Sequence, residues 1–382
     1  MAQWNRVPLI DYIELIGGGT PKTTVPEYWN GNIPWLSVKD FNNDKRYVYS
    51  TEKHISQSGF ENSPTKMLHK DDIIISARGT VGEIAMIPFD MAFNQSCYGI
   101  RASRGIDQPF LYYLLKNCIS QLKRMTHGSV FDTITRDTFA NIEVDIPDAE
   151  MQKRISSVLA DIDNKIEVND AINDNLHQQA ATLFKALFVD LTPFDGTMPP
   201  NWTISTLGDA TEMGAGGDKP KESSPVKTPL CPYPIYSNGI NDYGLYGYTN
   251  DPKIKVESVT VSARGTIGYV CLRHTPYVPI VRLVTLIPDT KVLSAKYLYL
   301  YLRQLHITGT GTTQQQLTVP DFRKTEIIIP DKNTMDSFTE TVTPLFEQIW
   351  ANEDENTKLA EVRDALLPKL MSGEIDVSDI QL

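Results

Sequence analysis

A five-residue segment with groups suited to binding nucleic acid occurs twice in the chain. Ser-Ala-Arg-Gly-Thr occupies 76–80 and again 262–266, each time directly after a run of residues that is typical of a strand. An arginine can bridge guanine O6 and N7 or clamp a phosphate, and serine and threonine hydroxyls can donate to phosphate oxygens. A structural interpretation stays open, in which each segment is a tight turn whose arginine is paired with a carboxylate. The candidate DNA contacts are Ser76, Arg78, Thr80, Ser262, Arg264 and Thr266.

Amide, basic and aromatic residues near these two segments extend the candidate surface. Asparagine and glutamine are the side chains that pair with adenine edges, and lysine and arginine neutralise phosphate. We therefore expect further DNA contacts from both halves of the chain. These candidates are Lys22, Trp35, Lys39, Asn94, Gln95 and Arg101 in the first half, and Lys219, Lys221, Tyr236, Asn238 and Arg282 in the second.

The sequence predicts neither a catalytic residue nor a metal site. The six histidines form no HExxH motif and no clustered ligand spacing. The glycine loops 17–22 and 214–219 lack the spacing of a phosphate-binding loop, so they are interpreted as turns that approach a ligand. Asp148, Asp163 and Lys165 match a PD…DxK nuclease pattern. Such a cluster must be held by strands around Mg²⁺, whereas this DxK lies in a predicted helix, so a metal-dependent nuclease is the less favoured alternative.

The elements that position these groups occur twice in the same order. The second copy of each follows the first by 183 to 187 residues, and this distance varies only between segments. Such a pattern indicates two copies of one fold with divergent loops. The matched segments are 73–82 with 259–268, 110–116 with 297–303, and 139–147 with 322–330.

Each copy consists of a strand-like part followed by a long helix. Residues 1–147 and 202–330 have short β-branched and aromatic runs separated by Gly, Pro and Asn, which predicts two globular domains. Residues 148–191 and 331–371 have helical periodicity, and 192–201 is a linker whose Pro-Pro-Asn end leads into Trp202 of the second domain. The second helix and a C-terminal tail together form the region 331–382, and we expect Pro344 and Pro368 to kink or fray that helix.

A heptad pattern runs along both helices, so each apolar seam needs a partner. The nearest partner is the other helix. We therefore expect an α+β protein in which two globular domains are separated by an antiparallel intramolecular coiled coil, with an internal pseudo-two-fold repeat. The seam residues are Ile155, Ile162, Asn169, Leu176 and Leu183 in the first helix, and Phe338, Leu345, Asn352, Leu359 and Leu366 in the second.

Two asparagines, Asn169 and Asn352, occupy the same heptad position in the middle of each seam. They are either solvated polar residues in a loose stretch or a buried polar pair that fixes the helix register at the expense of stability. If the second interpretation holds, replacing both with leucine should raise the melting temperature.

The acidic charge of the chain is concentrated in the helices. Of the net charge of −11, residues 148–195 carry −5 and residues 331–382 carry −8, whereas 1–147 carry −1 and 196–330 carry +3. The total argues against a protein that coats DNA non-specifically, but the globular domains permit local basic faces. The acidic helices suit a protein partner better than phosphate.

Cysteine usage and hydropathy predict a cytoplasmic protein without a membrane segment. The four cysteines lie far apart with no CxxC pair, so a disulfide framework or zinc finger is not expected. There is no apolar run of the roughly 18 residues that a membrane span requires, and the first residues lack signal-peptide architecture.

Taken together, these segments resemble the specificity subunit of a type I restriction–modification system, over essentially the whole chain. The repeat and the alternation of globular domain and helix are part of this resemblance. The second helix entry, 330–338, departs from it because it lacks the Gln-Lys-Arg of the first entry. The segments that carry the resemblance are 202–209, the two SARGT-(V/I)-G loops, 146–155, 161–169 and 366–375.

The resemblance implies a protein without catalytic activity of its own. In that family, each globular domain reads one half of a bipartite, asymmetric site in double-stranded DNA. The helices set the spacing and dock the partners, here expected to be two adenine methyltransferase subunits and a restriction subunit. S-adenosylmethionine, ATP and Mg²⁺ are then expected in those partners and no cofactor in this chain. An assembly scaffold that reads no bases is the other alternative.

Overall fold

A computed structural model of the protein describes residues 4–126, 133–309 and 316–378. The chain divides into two compact units, each of which mixes helices and strands. Unit 1 comprises 1–171 and 352–382, and unit 2 comprises 172–351. In the described ranges, no helix is both long and apolar enough to cross a membrane.

Unit 1 contains the strand-rich first part of the chain, the start of the first long helix and the C-terminal residues from 352 onward. Its described strands are β1 Asn5–Pro8, β2 Ile13–Gly17, β3 Trp29–Leu36, β4 Lys53–Ile55, β5 Met67–Leu68, β6 Ile73–Ser76, β7 Ile84–Met86, β8 Met91–Phe93, β9 Cys97–Ala102 and β10 Glu143–Ile146. Its described helices are α1 Val38–Phe41, α2 Gln57–Glu61, α3 Gln108–Thr126, α4 Arg136–Ala140 and α5 Ala149–Phe184, the last of which continues beyond the unit.

The strands of unit 1 form one two-stranded and two four-stranded sheets. β1 pairs with β10, a second sheet has the order β2-β9-β6-β7, and a third has the order β4-β3-β8-β5. Side chains of the inner strand β6 alternate between the two faces of its sheet, and all four are buried. Ile73 and Ile75 enter the core that contains α3, whereas Ile74 enters a second core beside Leu36 and Phe93. This explains why β6 is a continuous apolar run in the sequence.

Unit 2 has a similar set of elements. Its described strands are β11 Thr203–Thr206, β12 Thr211–Ala215, β13 Ser223–Ser224, β14 Tyr233–Tyr236, β15 Leu245–Thr249, β16 Ser258–Val261, β17 Val270–Arg273, β18 Val278–Pro279, β19 Val284–Pro288 and β20 Glu326–Ile329. Its described helices are α6 Leu207–Ala210, α7 Ala295–Gln304, α8 Val319–Phe322 and α9 Lys332–Met371, the last of which also continues into unit 1.

The sheets of unit 2 have orders that resemble those of unit 1. β11 pairs with β20, β12-β19-β16-β17 form a four-stranded sheet, and β13-β15-β14-β18 form another. Val259 and Val261 of β16 enter a core with the aromatic residues of α7 and α9. Thr260, on the other face of β16, is also buried and accepts a hydrogen bond from Arg273 at 2.9 Å. Unit 2 therefore has a polar contact where Ile74 provides an apolar one in unit 1.

The two predicted long helices are present, as α5 and α9. α5 is followed by a π-helical turn at Lys185–Val189, and a 3-10 turn at Thr192–Phe194 lies in the predicted linker. The expected fraying at Pro344 and Pro368 is wrong, because α9 is a single helix from Lys332 to Met371. The expected kink stays a prediction. Each proline removes only one backbone donor, and the ladder continues beyond the second, where the Ser372 amide donates to the Pro368 carbonyl at 3.0 Å.

Within each unit, the segments of α5 and α9 run antiparallel. In unit 1, Arg363 bonds to Asp163 at 2.9 Å and Asn169 bonds to Asn356 at 2.8 Å. In unit 2, Asn173 contacts the Ile349 carbonyl at 3.4 Å, and the rings of Phe184 and Phe338 are 6.1 Å apart. Residue numbers rise along one helix as they fall along the other, so the segments are antiparallel in both units.

The burial of the predicted seam is uneven. Ile155, Asn169, Phe338 and Asn352 are buried. The other seam positions are only half-buried, because each unit also packs its globular part against neighbouring faces of the helices, where Leu159, Phe184 and Val342 are buried. The half-buried seam residues are Ile162, Leu176, Leu183, Leu345, Leu359 and Leu366.

Asn169 has the buried environment that one of the two sequence interpretations required. Its side chain is 1% exposed and donates to Glu355 and to Asn356, both at 2.8 Å, while it accepts from Lys165 at 3.0 Å. Asn352 is buried as well. These bonds show that Asn169 is a satisfied buried polar residue, whose expected effect on register stays a prediction.

Candidate nucleic-acid interface

The first SARGT segment is a turn held closed by its serine. Ser76 is the last residue of β6 and fully buried, and its hydroxyl donates to the Thr80 carbonyl and accepts from the Glu83 amide at 2.8 Å. Gly79 has a φ of 79°, in the left-handed region that favours glycine. The predicted phosphate contact of Ser76 is therefore wrong, because this hydroxyl is used to close the turn.

The second SARGT segment repeats this construction at the end of β16. Ser262 is buried, donates to the Thr266 carbonyl and accepts from the Tyr269 amide at 3.1 Å. Gly265 has a φ of 69°. Ser262 is thus also a structural residue rather than a phosphate ligand, and both turns leave their Arg and Thr side chains exposed.

The two arginines of these turns are exposed and have no carboxylate partner among the residues that the structure describes. No ion pair of Arg78 or Arg264 exists within these ranges. Arg264 instead donates to the Gln316 amide oxygen at 3.1 Å. The alternative in which a carboxylate holds each arginine has no support in this part of the chain, and both guanidinium groups face solvent.

In unit 1, a glycine loop and a second turn pack beside the SARGT turn. The Gly19 amide donates to the Phe93 carbonyl at 2.9 Å, and the Ala77 amide donates to the Ser96 carbonyl at 2.8 Å. Gly18 permits this approach, because a Cβ there would lie 2.1 Å from the Asn94 carbonyl oxygen. We call the resulting surface loop face 1, formed by 17–22, 77–82 and 93–96.

Unit 2 has a corresponding surface, in which one asparagine connects the loops. Asn238 accepts from the Ala263 amide at 2.7 Å and donates to the Val281 carbonyl at 2.6 Å. The Arg282 amide donates to the Gly216 carbonyl at 2.9 Å, which attaches the glycine loop. We call this surface loop face 2, formed by 214–219, 236–239, 263–268 and 280–283.

Both loop faces present cationic and hydroxyl groups to solvent on a backbone fixed by hydrogen bonds. Such a surface can contact phosphates and base edges without first ordering its loops. The exposed candidates on the loop faces are Lys22, Arg78, Thr80 and Gln95 in unit 1, and Lys219, Arg264, Thr266 and Arg282 in unit 2. Lys39 of α1 and Lys221 are exposed outside these faces.

Comparison with known proteins identifies the family. The model described as the type I restriction modification DNA specificity domain matches residues 1–178 and 199–361. The chain belongs to this family. Its role in a restriction–modification system is therefore DNA specificity rather than catalysis, which confirms the resemblance seen in the sequence.

Relatives and a solved structure agree with this assignment. The chain is 28% identical to the type I restriction enzyme MjaIX specificity subunit of Methanocaldococcus jannaschii, over 99% of this chain and 94% of that one. It is 26% identical to the HindI specificity subunit of Haemophilus influenzae, over 70% and 77%. In fold, it is similar to the crystal structure of the S subunit from M. genitalium, with a TM-score of 0.58, 15% identity, and coverage of 97% and 96%.

Two aromatic residues predicted to contact DNA make contacts within this specificity subunit. Trp35 is 6% exposed and donates from its indole nitrogen to the Gly19 carbonyl at 3.1 Å, so it supports loop face 1 from below. Tyr236 lies under the guanidinium of Arg273, 3.6 Å from its ring centre. Burial raises the pKa of Tyr236. The predicted base contact of Trp35 is therefore wrong, whereas that of Tyr236 stays a prediction.

Three predicted polar contacts are also occupied within the protein. Arg101 donates to Asp72 at 2.6 and 2.8 Å, and this hydrogen-bonded pairing raises the pKa of the guanidinium. Asn94 accepts from the Ser96 amide at 3.0 Å, and Asn238 makes the two backbone bonds described above. Arg101 and Asn238 would have to give up bonds already made in order to contact DNA. The bond of Asn94 uses only its amide oxygen, so the predicted contact of Asn94 stays a prediction.

The nuclease alternative has no geometric support. Asp148 caps α5 by accepting from the Met151 amide at 2.9 Å, whereas Asp163 is buried between Tyr113 and Arg363, at 2.6 and 2.9 Å. Across 4–126, 133–309 and 316–378, no group of three His, Cys, Asp or Glu side chains could hold a metal ion. The motif's two aspartates therefore have structural roles.

The sequence did not reveal the exposed apolar residues of unit 2. Val226, Leu230 and Tyr246 are all more than half exposed. The prolines at 225 and 229 indicate a loop, but a loop signal does not distinguish a leucine that packs inward from one that faces solvent.

Proposed function

We propose that this specificity subunit reads a bipartite, asymmetric site in duplex DNA. Residues 1–147 would read one half through loop face 1, and residues 202–330 would read the other through loop face 2. The observation that carries this proposal is the repeated turn in which a buried serine fixes the backbone and leaves Arg and Thr exposed, once in each unit.

The reading residues would be the exposed members of each loop face. Arg78 and Arg264 have the geometry for bidentate contact with guanine or phosphate. The lysines would neutralise phosphates, so binding should weaken as salt concentration rises. Linking two readers in one chain makes the second contact intramolecular, which raises its effective concentration.

The spacing of the half-sites would be set by the helices 148–191 and 331–371. We infer that α5 and α9 form one antiparallel intramolecular coiled coil, related by a pseudo-two-fold repeat. The antiparallel contacts Arg363–Asp163 and Phe184–Phe338, one pair in each unit, support this inference.

Partner subunits would supply the chemistry. The relatives are named as specificity subunits of type I restriction enzymes. Two methyltransferase subunits and a restriction subunit would bind this chain. The helical regions 148–195 and 331–382, which together carry −13 in a chain of net charge −11, suit such protein contacts. A methyltransferase using S-adenosylmethionine would flip an adenine out of the duplex, and the restriction subunit would use ATP and Mg²⁺. The assembly would act on DNA in the cytoplasm.

The test is a domain exchange followed by strand-specific mapping of methylated adenines in the host. Replacing residues 202–330 with the corresponding domain of another specificity subunit should change one half of the methylated site and leave the other half unchanged. A methylation pattern identical to that of the original chain would contradict the two-reader proposal and favour the scaffold alternative. Replacement of 1–147 is the matched control, which should change the opposite half.

A further inference from the structure

The connection between β13 and β14 ends in an exposed apolar tip. Thr228 and Cys231 pair across it, with the Cys231 amide donating to the Thr228 carbonyl at 3.1 Å and the Thr228 amide to the Cys231 carbonyl at 3.3 Å. Only Pro229 and Leu230 lie between them, and Leu230 is 82% exposed. The proline fixes its own φ, so the turn presents Leu230 in a restricted geometry.

The base of this tip is fixed to a sheet. Both β13 and β14 pair with β15, where Ser223 and Tyr233 both lie opposite Thr249. The Thr249 hydroxyl also donates to the Glu222 carbonyl at 2.8 Å. The Leu230 tip is therefore a short, closed turn on a three-stranded support, and little conformational entropy would be lost if it contacted a ligand.

The surroundings of the tip combine apolar and cationic groups. Val226, in the same connection as Leu230, is 63% exposed, and Tyr246 of the supporting strand β15 is 52% exposed. The ammonium of Lys219 lies 5.2 Å from the Tyr246 ring, and two more lysines at 221 and 227 are exposed.

Two acidic residues lie in the same segment. Glu222 is bound by the Asn250 amide, and Asp218 is exposed. Three lysines therefore outnumber two carboxylates, one of which is already engaged. This balance suits a polyanion that also offers apolar surface, and duplex DNA has both properties.

We propose that Leu230 makes an apolar contact with DNA bases in the half-site read by unit 2, while Lys219, Lys221 and Lys227 contact the flanking phosphates. This inference rests on the proposed function. DNA offers apolar surface as the thymine methyl group in the major groove or as the face of a base where a step opens. In the described part of unit 1, the most exposed large apolar side chain is Tyr49, whose hydroxyl is bonded to Glu167, so the contact is specific to the second half-site.

The experiment measures DNA binding by the chain assembled with its methyltransferase subunits, on duplexes that carry the mapped site or a scrambled one. Leu230→Ala should weaken binding to the mapped site by about tenfold and change binding to the scrambled duplex less than about twofold, since one base contact is lost and phosphate contacts stay. Ile204→Ala is the matched control, because Ile204 is 62% exposed in β11 of the same unit and should have no effect. Melting temperatures should be unchanged in both variants.

Two further duplexes distinguish the sources of apolar surface. If Leu230 contacts a thymine methyl, deoxyuridine at that position should weaken binding of the unaltered chain and not of Leu230→Ala. If Leu230 enters an opened base step, the fluorescence of a 2-aminopurine placed beside that step should increase when the unaltered chain binds and not when Leu230→Ala binds. Either result supports the proposal.

The proposal is overturned if Leu230→Ala binds every duplex as the unaltered chain does, or if it instead impairs assembly with the methyltransferase. Failure of the proposed function gives a different result, because the unaltered complex would then methylate no bipartite site.

Discussion

At corresponding positions of the repeat, unit 1 buries charges and unit 2 buries apolar side chains. With the 183-residue shift between the helices, Asp163 corresponds to Phe346, and Arg363 corresponds to Ala180. Asp163 and Arg363 are bonded at 2.9 Å, and both are buried. Ala180 and Phe346 belong to the apolar core of unit 2.

The neighbouring residues follow the same division. Tyr113 donates to Asp163 at 2.6 Å, whereas its counterpart in the repeat is Leu300, which is buried in the unit 2 core. Phe346 packs against Tyr299, with ring centres 5.8 Å apart. Helix and globular part thus pack through a hydrogen-bonded ion network in one unit and through aromatic contact in the other. This fold therefore constrains the shape of the packing more strongly than its chemistry.

The ion network depends on all of its members. Burial alone would lower the pKa of Arg363. The hydrogen bonds of its guanidinium with Asp364 and Asp163 have the larger combined effect, so the pKa is raised. Arg363 also bonds to Asp44 at 2.9 Å, so it connects α9 to the loop after α1. Removing one buried charge leaves its partner buried without a counter-charge. Truncating an apolar core residue removes only packing contacts.

The largest effect is expected when this network is broken. Arg363→Met should reduce the free energy of unfolding by about 3–5 kcal/mol, because it leaves Asp163 buried without its cation. Hydrogen exchange should increase in peptides of unit 1 and not in those of unit 2. Lys332→Met, which removes an exposed cation paired with Asp336 on the same helix, is the control and should change stability by less than about 1 kcal/mol. Equal loss of protection in both units would contradict the comparison.

Transplanting the apolar packing of unit 2 into unit 1 should recover much of this loss. The triple variant Tyr113→Leu, Asp163→Phe and Arg363→Ala removes both charges of the buried pair together, so neither is left without the other. Arg46, which lies beside Tyr113 and Asp163, loses those contacts, and this limits the recovery. We expect it to be about 1–4 kcal/mol more stable than Arg363→Met in urea unfolding. A triple variant less stable than Arg363→Met would show that unit 1 cannot adopt the packing of unit 2.

The loop faces, in contrast, should behave alike. Arg78→Ala and Arg264→Ala should each weaken binding of the assembled complex to its site by about 1–3 kcal/mol, each through its own half-site. Binding to duplexes altered in one half at a time measures this. Loss of folding in either variant would instead indicate a structural role for that arginine.

The smallest effect is a pH dependence in unit 1. Burial works to raise the pKa of Asp44, but the positive charges of Lys116 and Arg363 outweigh this, so the pKa lies below its ordinary value. A carboxyl with a lowered pKa contributes stability above its unfolded pKa of about 4, and this contribution is lost as the pH falls further. Urea midpoints of the unaltered chain and of Asp44→Asn should therefore converge with falling pH between roughly pH 4 and 2. Parallel curves would contradict this origin.

The regular elements could be predicted because their signals are periodic. Heptads indicated α5 and α9 to within a few residues, and β-branched runs indicated β6 and β16. The orientation of single polar residues could not be predicted in this way. Ser76 and Ser262 resemble phosphate ligands in sequence, but the amides of Glu83 and Tyr269, which they bind, follow them by seven residues across a turn.

Aromatic and charged residues posed the same difficulty. Trp35 lies near Lys39 in sequence, yet β3 buries both Trp35 and Leu36 because its sheet is covered on both faces at that point. The partner of Arg363 is 200 residues away, at Asp163, and no local pattern connects them. Leu230 was missed because an exposed leucine is recognised only once the positions of its neighbours are known.

The division of the chain affects the order in which its parts are completed during synthesis. Unit 2 is one continuous stretch, 172–351, whereas unit 1 needs both ends of the chain. Its core contains Leu9 and Ile155 together with Leu370 and Val377 from the last residues. The ribosome therefore releases every residue of the second unit before the first can close its core. A product that stops near residue 351 would retain both recognition regions and yet lack part of the interior of the first.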